Sequence, residues 1–441
     1  MTEEIWALVM FGVAIVALIL GFPVALTLGS VALLFGGIFE GLAFFDLLPL
    51  RIWGIMTNFT LLAVPLFVFM GVILEKSGLA ADLLQTMGEL FGRVRGGLAV
   101  AIVTVGALLA ATTGVVGATV VTMGVIALPA MLRHRYSTEL AAGTIAASGT
   151  LGQIIPPSII LILLGDVIGV PVGRLFVGAV VPGLILIGLF ILYILVLAWW
   201  RPDAAPAIAV EPGQDNVAQR LRRVLTSLLP PLVLVIAVLG SIFFGIASPT
   251  ESAAVGAIGA MILAALHRRL SWGHLRAASL QTARLTSMVF FILIGATAFG
   301  LVFRGMGGDM VVEDIMTTMP GGEMGFLAVS MAMIFVLGFF LDFLEICFIV
   351  VPILAPIAEL MGIDLLWFAI LIAMNLQTSF LTPPFGFSLF YLKAVAPPEV
   401  RITQIYRGVI PFVLLQVLAL AALIGYPQIV LWLPDYMDAL Q

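Results

Sequence analysis

Two long apolar stretches of this chain are each interrupted near the middle by a double proline. Residues 138–168 contain Pro156-Pro157 and residues 365–395 contain Pro383-Pro384, and small polar residues precede both pairs. Because proline lacks an amide hydrogen and clashes with the preceding helical turn, a helix has to open at such a pair. Inside a bilayer, opened backbone is stable only where protein covers it or where it lines a wet cavity. The pattern predicts two broken transmembrane helices, an arrangement typical of binding sites in secondary transporters.

The composition favours a membrane location and excludes several classes of function. Of the 441 residues, 62% are hydrophobic and 10% are charged, whereas a soluble domain contains about 25% charged residues. Glu3 and Glu4 precede the first apolar run, which argues against a secretory signal peptide. The single cysteine, Cys347, excludes an internal disulfide and a thiolate metal cluster. The sequence contains no G-x-x-x-x-G-K-S/T loop and no nucleophile–base pair, so we expect neither an ATPase nor an enzyme, and no nucleic-acid partner.

Landmark residues recur in the same order in the two halves of the chain. Five such coincidences, with separations that differ by only three residues, indicate an internal repeat. We therefore predict a first repeat over residues 1–200, a cytoplasmic linker over residues 201–224 and a second repeat over residues 225–441. The recurring landmarks are Pro156 and Pro383, Pro129 and Pro356, and Ser148 and Asn375 (each pair 227 apart), Pro23 and Pro249 (226 apart), and residues 67–71 and 291–295 (224 apart).

Each repeat contains an apolar stretch that predicts a hairpin. The stretch between Arg95 and Arg133 is too long for one crossing, which needs about 20 residues. It is divided at Thr112-Thr113-Gly114, so we predict a re-entrant hairpin over about residues 97–132, with its turn inside the membrane. Two tightly turned full spans are the alternative.

The second hairpin is predicted over about residues 325–360, with its turn near Asp342 to Glu345. Upstream of it, the amphipathic residues 271–285 are expected to form a surface helix, separate from a span over residues 286–303.

The basic residues predict the orientation of the chain. With the N-terminus outside, 16 of the 19 lysines and arginines lie on the cytoplasmic side and the other 3 lie outside. The positive-inside rule favours this arrangement. It makes the two repeats inverted, with ten full spans and two hairpins, the first hairpin opening to the cytoplasm and the second to the outside. The three outer basic residues are Arg51, Arg174 and Arg304.

Oxygen-bearing residues cluster at the hairpin turns and at the helix breaks. Sodium prefers hard oxygen ligands, and opened helix ends supply carbonyl oxygens with partial negative charge. The candidate sodium ligands are Thr112, Thr113, Gly114, Ser148 and Gly149 in the first repeat and Asp342, Glu345, Asn375 and Gln377 in the second. The alternative is that the small residues only allow close helix packing, and that Asp342 and Glu345 lie at the hairpin mouth in contact with water.

A carboxylate substrate would need arginine, lysine or helix N-termini to hold its charge. Helix N-termini follow each double proline, at Ser158 and at Phe385-Gly386, and they attract negative charge. Arg304 is the alternative partner for the anion. The candidate substrate-binding residues are Ser148, Thr150, Pro156, Ser158, Thr378, Thr382 and Pro383.

The whole chain resembles the large membrane subunit of tripartite ATP-independent periplasmic (TRAP) transporters. Residues 64–71, 151–158 and 244–254 give the resemblance. It implies an all-α polytopic membrane protein of the inverted-repeat, elevator type, in which an outer scaffold holds a moving transport domain built from the two re-entrant hairpins and the two broken helices. It also implies sodium-coupled uptake of organic acids across the bacterial inner membrane, with sodium as coupling ion and no covalent cofactor.

The same resemblance implies partners and a branch of the family. The expected partners are a small four-helix membrane subunit, a periplasmic substrate-binding protein and membrane lipid. Many relatives resemble Ser-Gly-Ser at the first hairpin turn, where this chain has Thr112-Thr113-Gly114. Residues 341–345 and 375–387 resemble the branch grouped with mannitol, chloroaromatic and 2-oxo-acid transport. A sodium- or proton-coupled carboxylate symporter that needs no binding protein is the main alternative, and a purely structural membrane subunit is the other.

Overall fold

The computed structural model describes residues 2–91, 94–114, 116–208 and 217–439. The regular elements of these residues are helices. The first half contains α1 (Thr2–Ile19), α2 (Val24–Phe39), α3 (Leu48–Met56), α4 (Ala63–Lys76), α5 (Leu79–Phe91), α6 (Gly97–Thr113), α7 (Val116–Arg133), α8 (Thr138–Thr150), α9 (Ile159–Ile168) and α10 (Val172–Trp200).

The second half repeats this order. It contains α11 (Val217–Phe243), α12 (Pro249–Leu266), α13 (Trp272–Gly305), α14 (Gly308–Thr317), α15 (Gly322–Leu337), the short α16 (Phe343–Glu345), a π-helical turn (Ile346–Val350), α17 (Val351–Leu360), α18 (Leu365–Leu381), α19 (Phe387–Val395), α20 (Ile402–Gly425) and α21 (Gln428–Asp438).

Helix boundaries recur between the halves at the separation of the sequence landmarks. Val116 begins α7 and Phe343 begins α16, 227 residues later, and Thr138 and Leu365 begin α8 and α18 at the same separation. Both double prolines lie between helices, as predicted, and both contain a cis peptide bond. The inversion of the two halves relative to the membrane stays a prediction.

One pair of equivalent segments differs between the halves. In the first half, the helical stretches Leu42–Met56 and Thr60–Lys76 meet at an angle of 52°, and Asn58 Oδ1 accepts a hydrogen bond from Thr60 N (2.9 Å) where the helix restarts. In the second half, α13 runs unbroken for 34 residues. The predicted separation of residues 271–285 from residues 286–303 is therefore wrong, because a polar face alone does not end a helix and this stretch contains no proline.

The starts of helices α12 and α11 can be compared with the boundaries predicted from the sequence. Ser248, Pro249 and Glu251 predict an N-terminus, and the structure confirms a capping box there: Ser248 N donates to Glu251 Oε2 (2.8 Å) and Glu251 N donates to Ser248 Oγ (3.3 Å). The linker differs from its prediction, because α11 already begins at Val217. Residues 209–216 of that linker lie outside the described residues.

Several helices are long and apolar enough to cross a membrane. In the part of the chain that the structure describes, six helices meet this requirement by length and composition, and a seventh span is added if the bent pair of the first half is counted as one. Other apolar helices, including α1, α2, α6, α15 and α18, are shorter. The predicted total of ten spans and two hairpins depends on these shorter helices and stays a prediction.

The centre of the molecule is the buried helix α8, whose residues 140–150 are all buried. It crosses α20 where Gly143 faces Gly408, and a Cβ on either glycine would overlap a backbone carbonyl of the other helix. We expect Gly408→Val to lower the free energy of unfolding by at least about 1–3 kcal/mol, since overpacking here has to move backbone. Thermal melting in detergent checks this, with Gly188→Val as the control, because a Cβ on Gly188 meets nothing within 4 Å. Equal melting temperatures of the two variants would contradict the close crossing.

Candidate functional site: two helix breaks and the hairpin turns beside them

The first break lies between α8 and α9 and is buried except for the half-buried Ile155. A 3-10 turn (Leu151–Gln153) follows α8, and the chain passes the cis Pro156-Pro157 bond before α9 begins after its N-cap, Ser158. Ser158 Oγ donates to Gln153 O (2.9 Å), so the serine satisfies a carbonyl that the break leaves without a helical partner. Ser148, Thr150, Gln153 and Ser158 are fully buried.

The first hairpin, α6 and α7, encloses this break. A Cβ on Gly106 of α6 would come within 2.6 Å of Ser148 Cβ, and a Cβ on Gly149 would overlap Val120 of α7. The turn residue Gly114 has a left-handed φ of +60°, and its Cβ would lie 3.3 Å from the Ile159 amide nitrogen. The hairpin turn therefore lies against the N-terminus of α9. The side chains of Thr112 and Thr113 lie outside the described residues.

The second break, between α18 and α19, has the equivalent partners. Asn375 Nδ2 donates to Met331 O of α15 (2.7 Å). Asn375 is the repeat equivalent of Ser148, which contacts the corresponding hairpin helix, α6, in the first half. A Cβ on Gly338, just beyond α15, would overlap the Ser379 hydroxyl. Ser388 Oγ donates across the break to Phe380 O (2.8 Å). In both halves, therefore, a serine after the double proline satisfies a carbonyl before it.

Most hydroxyls at the breaks are turned back onto their own helix. Ser148 Oγ donates to Thr144 O (2.6 Å), Thr150 Oγ1 to Ala147 O (2.9 Å) and Thr378 Oγ1 to Met374 O (2.9 Å). Thr382 Oγ1 donates to Thr378 O (2.7 Å). A hydroxyl has one proton but two acceptor lone pairs, so these oxygens keep the capacity to coordinate a cation. This donor set fits a hard cation such as sodium better than a soft metal.

Three glutamines in this region are buried, and each has at least one amide atom without a hydrogen-bond partner among the described residues. Neither amide atom of Gln153 or Gln377 has a partner among the described residues, and both side chains are fully buried. Gln416 of α20 donates to Thr150 Oγ1 (3.3 Å), while its Oε1 has no partner there. A buried polar group left unsatisfied costs about 1–3 kcal/mol. Helix α18, which contains Gln377, contacts the Leu151–Gln153 turn, so the two broken helices meet at the turn that contains Gln153.

Gln377 was a predicted ligand, whereas Gln153 and Gln416 were not recognised from the sequence. The available signal was an amide side chain inside an otherwise apolar run. Such a residue forms interhelical hydrogen bonds or faces a cavity.

Asp342 and Glu345 have a structural role that we did not predict from the sequence. They form a capping box at the start of the return helix of the second hairpin. Phe343 N donates to Asp342 Oδ1 (2.7 Å) and Asp342 N donates to Glu345 Oε2 (3.1 Å). The spacing Asp-x-x-Glu is the signal for this cap. Each carboxylate keeps a second oxygen, and the hairpin turn lies at residues 338–342, between α15 and the cap.

The two breaks differ in exposure. Ser148, Thr150, Pro156 and Ser158 of the first break are buried, as is Thr378. Thr382 and Pro383 are half-buried, and Pro384 and Phe385 are exposed. The Phe385 ring packs against Phe340 at the hairpin turn, with ring centroids 5.2 Å apart. Of the predicted substrate-binding residues, only Thr382 and Pro383 therefore lie at an accessible surface in this conformation.

Comparison with known proteins assigns the family. The family described as "Tripartite ATP-independent periplasmic transporter, DctM component" matches residues 11–429. The chain belongs to this family. The resemblance seen in the sequence is thereby confirmed at the level of the TRAP large membrane subunit. The branch suggested by residues 341–345 and 375–387 stays a prediction.

Two relatives and one solved structure define the similarity of this DctM component. The C4-dicarboxylate TRAP transporter large permease protein DctM of Pseudomonas aeruginosa is 30% identical over 88% of this chain and 90% of that protein. The isethionate TRAP transporter permease protein DctMQ of Oleidesulfovibrio alaskensis is 30% identical over 93% of this chain, which spans 64% of that protein. The crystal structure of the Alcanivorax borkumensis YdaH transporter, described as having an unusual topology, superposes with a TM-score of 0.63 at 15% identity over 95% of this chain and 99% of that one.

These findings give the general class of the protein. A DctM component with several apolar helices is a multi-pass protein of the inner membrane. It is a transporter component and not an enzyme. The similarity to YdaH concerns the fold alone.

The cap and the charge of Asp342 can be separated by substitution. Asparagine caps a helix about as well as aspartate does, so we expect Asp342→Asn to keep the melting temperature. If the Asp342 carboxylate is a sodium ligand, the same change should raise the sodium concentration needed for half-maximal uptake. Asp342→Ala should lose about 1 kcal/mol of stability as well. If Asp342→Asn kept the full sodium dependence, the carboxylate would serve only as a cap.

Proposed function

We propose that this chain imports an organic acid across the inner membrane together with sodium, and receives that acid from a periplasmic binding protein. The observation that carries the proposal is the contact between the two broken helices, each of which contains a buried glutamine, Gln153 or Gln377, whose amide has no partner among the described residues. Unsatisfied buried polar groups are unfavourable, so a site that keeps them is expected to offer them to a ligand. Membership of the DctM family supports a transport role for that ligand site.

The sodium ions are proposed to bind where each hairpin turn lies against a break. In the first half, the lone pairs of Ser148, the opened backbone around Gly149 and the turn Thr112-Thr113-Gly114 supply oxygens. In the second half, Asn375, Gln377 and the free carboxylate oxygens of Asp342 and Glu345 supply them. Oxygen ligands from side chains and backbone suit a hard cation.

The organic acid is proposed to bind between the breaks, against Thr382, Pro383 and the helix N-termini that follow the prolines. Helices α9 and α19 begin at Ile159 and Phe387 and have ten and nine residues, long enough for their N-termini to attract an anion. The two relatives described above are named for C4-dicarboxylates and for isethionate. An acid with a carboxylate or a sulfonate is therefore the substrate class that we favour.

Alternating access is proposed to occur by an elevator movement. The hairpins and broken helices would move as one body against a scaffold that includes α3, α4, α11, α12 and α13. Polar contacts between described residues cross this boundary near each end of α4: Asn58 Nδ2 donates to Asp166 Oδ1 of α9 (2.5 Å), and Thr122 Oγ1 of α7 donates to Glu75 Oε1 (3.0 Å). Both would have to break when the two bodies slide.

The proposed assembly includes a small membrane subunit and lipid. The family description names a tripartite transporter, and this chain spans only 64% of the DctMQ permease. Apolar side chains of α10, such as Leu184 (61% exposed) and Leu192 (58% exposed), are available to lipid or to that subunit. The N-terminus is proposed to be periplasmic, which a reporter fused ahead of α1 and active only outside the cytoplasm would test.

Uptake in proteoliposomes tests the proposal. The chain and its small partner would be reconstituted with and without a sodium gradient, and labelled C4-dicarboxylates, isethionate, lactate and 2-oxo acids would be offered with and without the binding protein. We expect uptake only when both the sodium gradient and the binding protein are present. Uptake with sodium alone would favour the self-sufficient symporter. Uptake driven by a proton gradient without sodium would contradict the proposed coupling ion.

A further inference from the structure

A cavity of about 460 Å³ lies between the proposed scaffold and the proposed moving body, apart from the helix breaks. One wall consists of α3, α13 and α14, and the other consists of the C-terminal end of α9 together with the π-helical turn and α17. It is lined by none of the candidate sodium ligands and by none of the substrate-binding residues predicted at the breaks, but it contains Arg304, the alternative anion partner. Its volume lies within the range of about 300–1,000 Å³ that is usual for small-molecule sites.

Two arginines from the scaffold wall line this cavity. Arg51 lies in α3 and Arg304 in the last turn of α13, and both are predicted on the outer side of the membrane. Arg304 Nη2 would lie 3.6 Å from a Cβ on Gly300, so the guanidinium extends back along its own helix, where the glycine leaves room. Among the described residues, ion pairs join Arg174 to Asp435 and Asp438 and join Arg269 to Asp82. They involve neither Arg51 nor Arg304.

Three acids also line the cavity and limit what the arginines can bind. Asp166 accepts the hydrogen bond of Asn58. Asp309 and Glu313 lie one turn apart on α14. Carboxylates on the same wall repel a second negative charge, so the cavity suits one oxyanion group beside the arginines better than a closely spaced dianion.

We propose that Arg51 and Arg304 bind the carboxylate or sulfonate group of the incoming acid at the outer face, before the acid reaches the helix breaks. The guanidinium fork matches the geometry of such a group. A recess between two bodies suits a small molecule rather than a protein surface, and its moving wall would pass the acid on when the bodies slide. This inference rests on the proposed function, because it assumes that an organic acid enters from this side.

A cysteine at Gly54 gives a test that needs no transport. Gly54 lines the cavity, and a Cβ built there meets nothing within 4 Å. The native Cys347 is fully buried and gives little background. Gly54→Cys would be prepared in the chain with its small partner subunit, without binding protein, and modified with anionic sulfonatoethyl and cationic trimethylammonioethyl methanethiosulfonate.

The expected result is a ratio of anionic to cationic modification rates that depends on both arginines. Replacing Arg51 and Arg304 leaves three acids as the charged residues that line the cavity, and a cleft with one sign of charge can change the association rate of a charged molecule about tenfold or more. The ratio of anionic to cationic modification rates should therefore fall about tenfold or more in Arg51→Gln/Arg304→Gln. Arg174→Gln is the matched control: this outer arginine is already paired with two aspartates, so its loss should change the ratio less than about twofold. Millimolar succinate or isethionate should slow modification only when Arg51 and Arg304 are present.

Several outcomes would overturn the inference. If the modification ratio did not change when both arginines were replaced, Arg51 and Arg304 would not form an anion site. Protection by vesicles of anionic phospholipid, but not by succinate or isethionate, would assign the arginines to lipid. Protection only by the binding protein would assign them to protein docking. Modification needs neither sodium nor turnover, so failure here leaves the proteoliposome result to decide the proposed function independently.

Discussion

Replacing Gln377 with methionine is expected to stop uptake and to leave the protein at least as stable as before. The amide of Gln377 is fully buried, and neither its nitrogen nor its oxygen has a partner among the described residues. Methionine has a similar length and leaves no polar group unsatisfied, so up to about 1–3 kcal/mol of stability can be recovered. If the amide contributes to ligand binding, sodium-driven uptake should fall at least about tenfold. Uptake in proteoliposomes and melting in detergent, measured on the same preparation, check both parts.

Gln153 and Gln416 provide the comparison for that result. Gln153→Met should behave like Gln377→Met, because both of its amide atoms are also without described partners. Gln416→Met removes an unpartnered Oε1 but also the hydrogen bond to Thr150 Oγ1, so it should stabilise the protein less than Gln377→Met does. If Gln377→Met lowered the melting temperature below that of the unmodified protein, the Gln377 amide would have a structural role and the ligand site would lie elsewhere.

Features that act through local stereochemistry could be predicted from the sequence. A double proline cannot continue a helix, so the two breaks followed from Pro156-Pro157 and Pro383-Pro384. Ser248, Pro249 and Glu251 fixed the start of α12 through a capping box. Gly114 ends α6 in a left-handed conformation, which the Thr-Thr-Gly turn allowed. Each of these features depends on residues within a few positions of one another.

Features that depend on contacts between distant segments could not be predicted in the same way. The partners of Gln416 and Asn375 are Thr150 and the Met331 carbonyl, 266 and 44 residues away. The sequence predicted that residues 271–285 are separate from the span over residues 286–303, yet α13 continues through both, whereas in the first half a helix restarts after Asn58. Hydroxyl groups were correctly placed near the breaks, but the sequence did not show that they bond their own helices.

Joining Asn58 to Asp166 covalently is expected to arrest transport completely. These side chains are 2.5 Å apart and connect the loop before α4 to α9, that is, the proposed scaffold to the proposed moving body. In Asn58→Cys/Asp166→Cys, a short thiol-reactive crosslinker or Cd²⁺ should abolish uptake, and a reductant or a chelator, respectively, should restore it. The background is low, because the one native cysteine, Cys347, is fully buried.

The matched control lies inside the proposed scaffold. Ser241 Oγ and Ser252 Oγ of α11 and α12 are 2.8 Å apart, and a crosslink in Ser241→Cys/Ser252→Cys should leave uptake close to that of the uncrosslinked protein. For each double-cysteine variant, uptake after the crosslink is reversed is the baseline. This separates the effect of the crosslink from the effect of losing the Asn58–Asp166 hydrogen bond. An elevator requires α9 to leave α4 in every cycle, whereas α11 and α12 stay together. If the Asn58→Cys/Asp166→Cys protein transported equally fast with and without the crosslink, the loop before α4 and helix α9 would move together. The boundary of the moving body would then have to lie elsewhere.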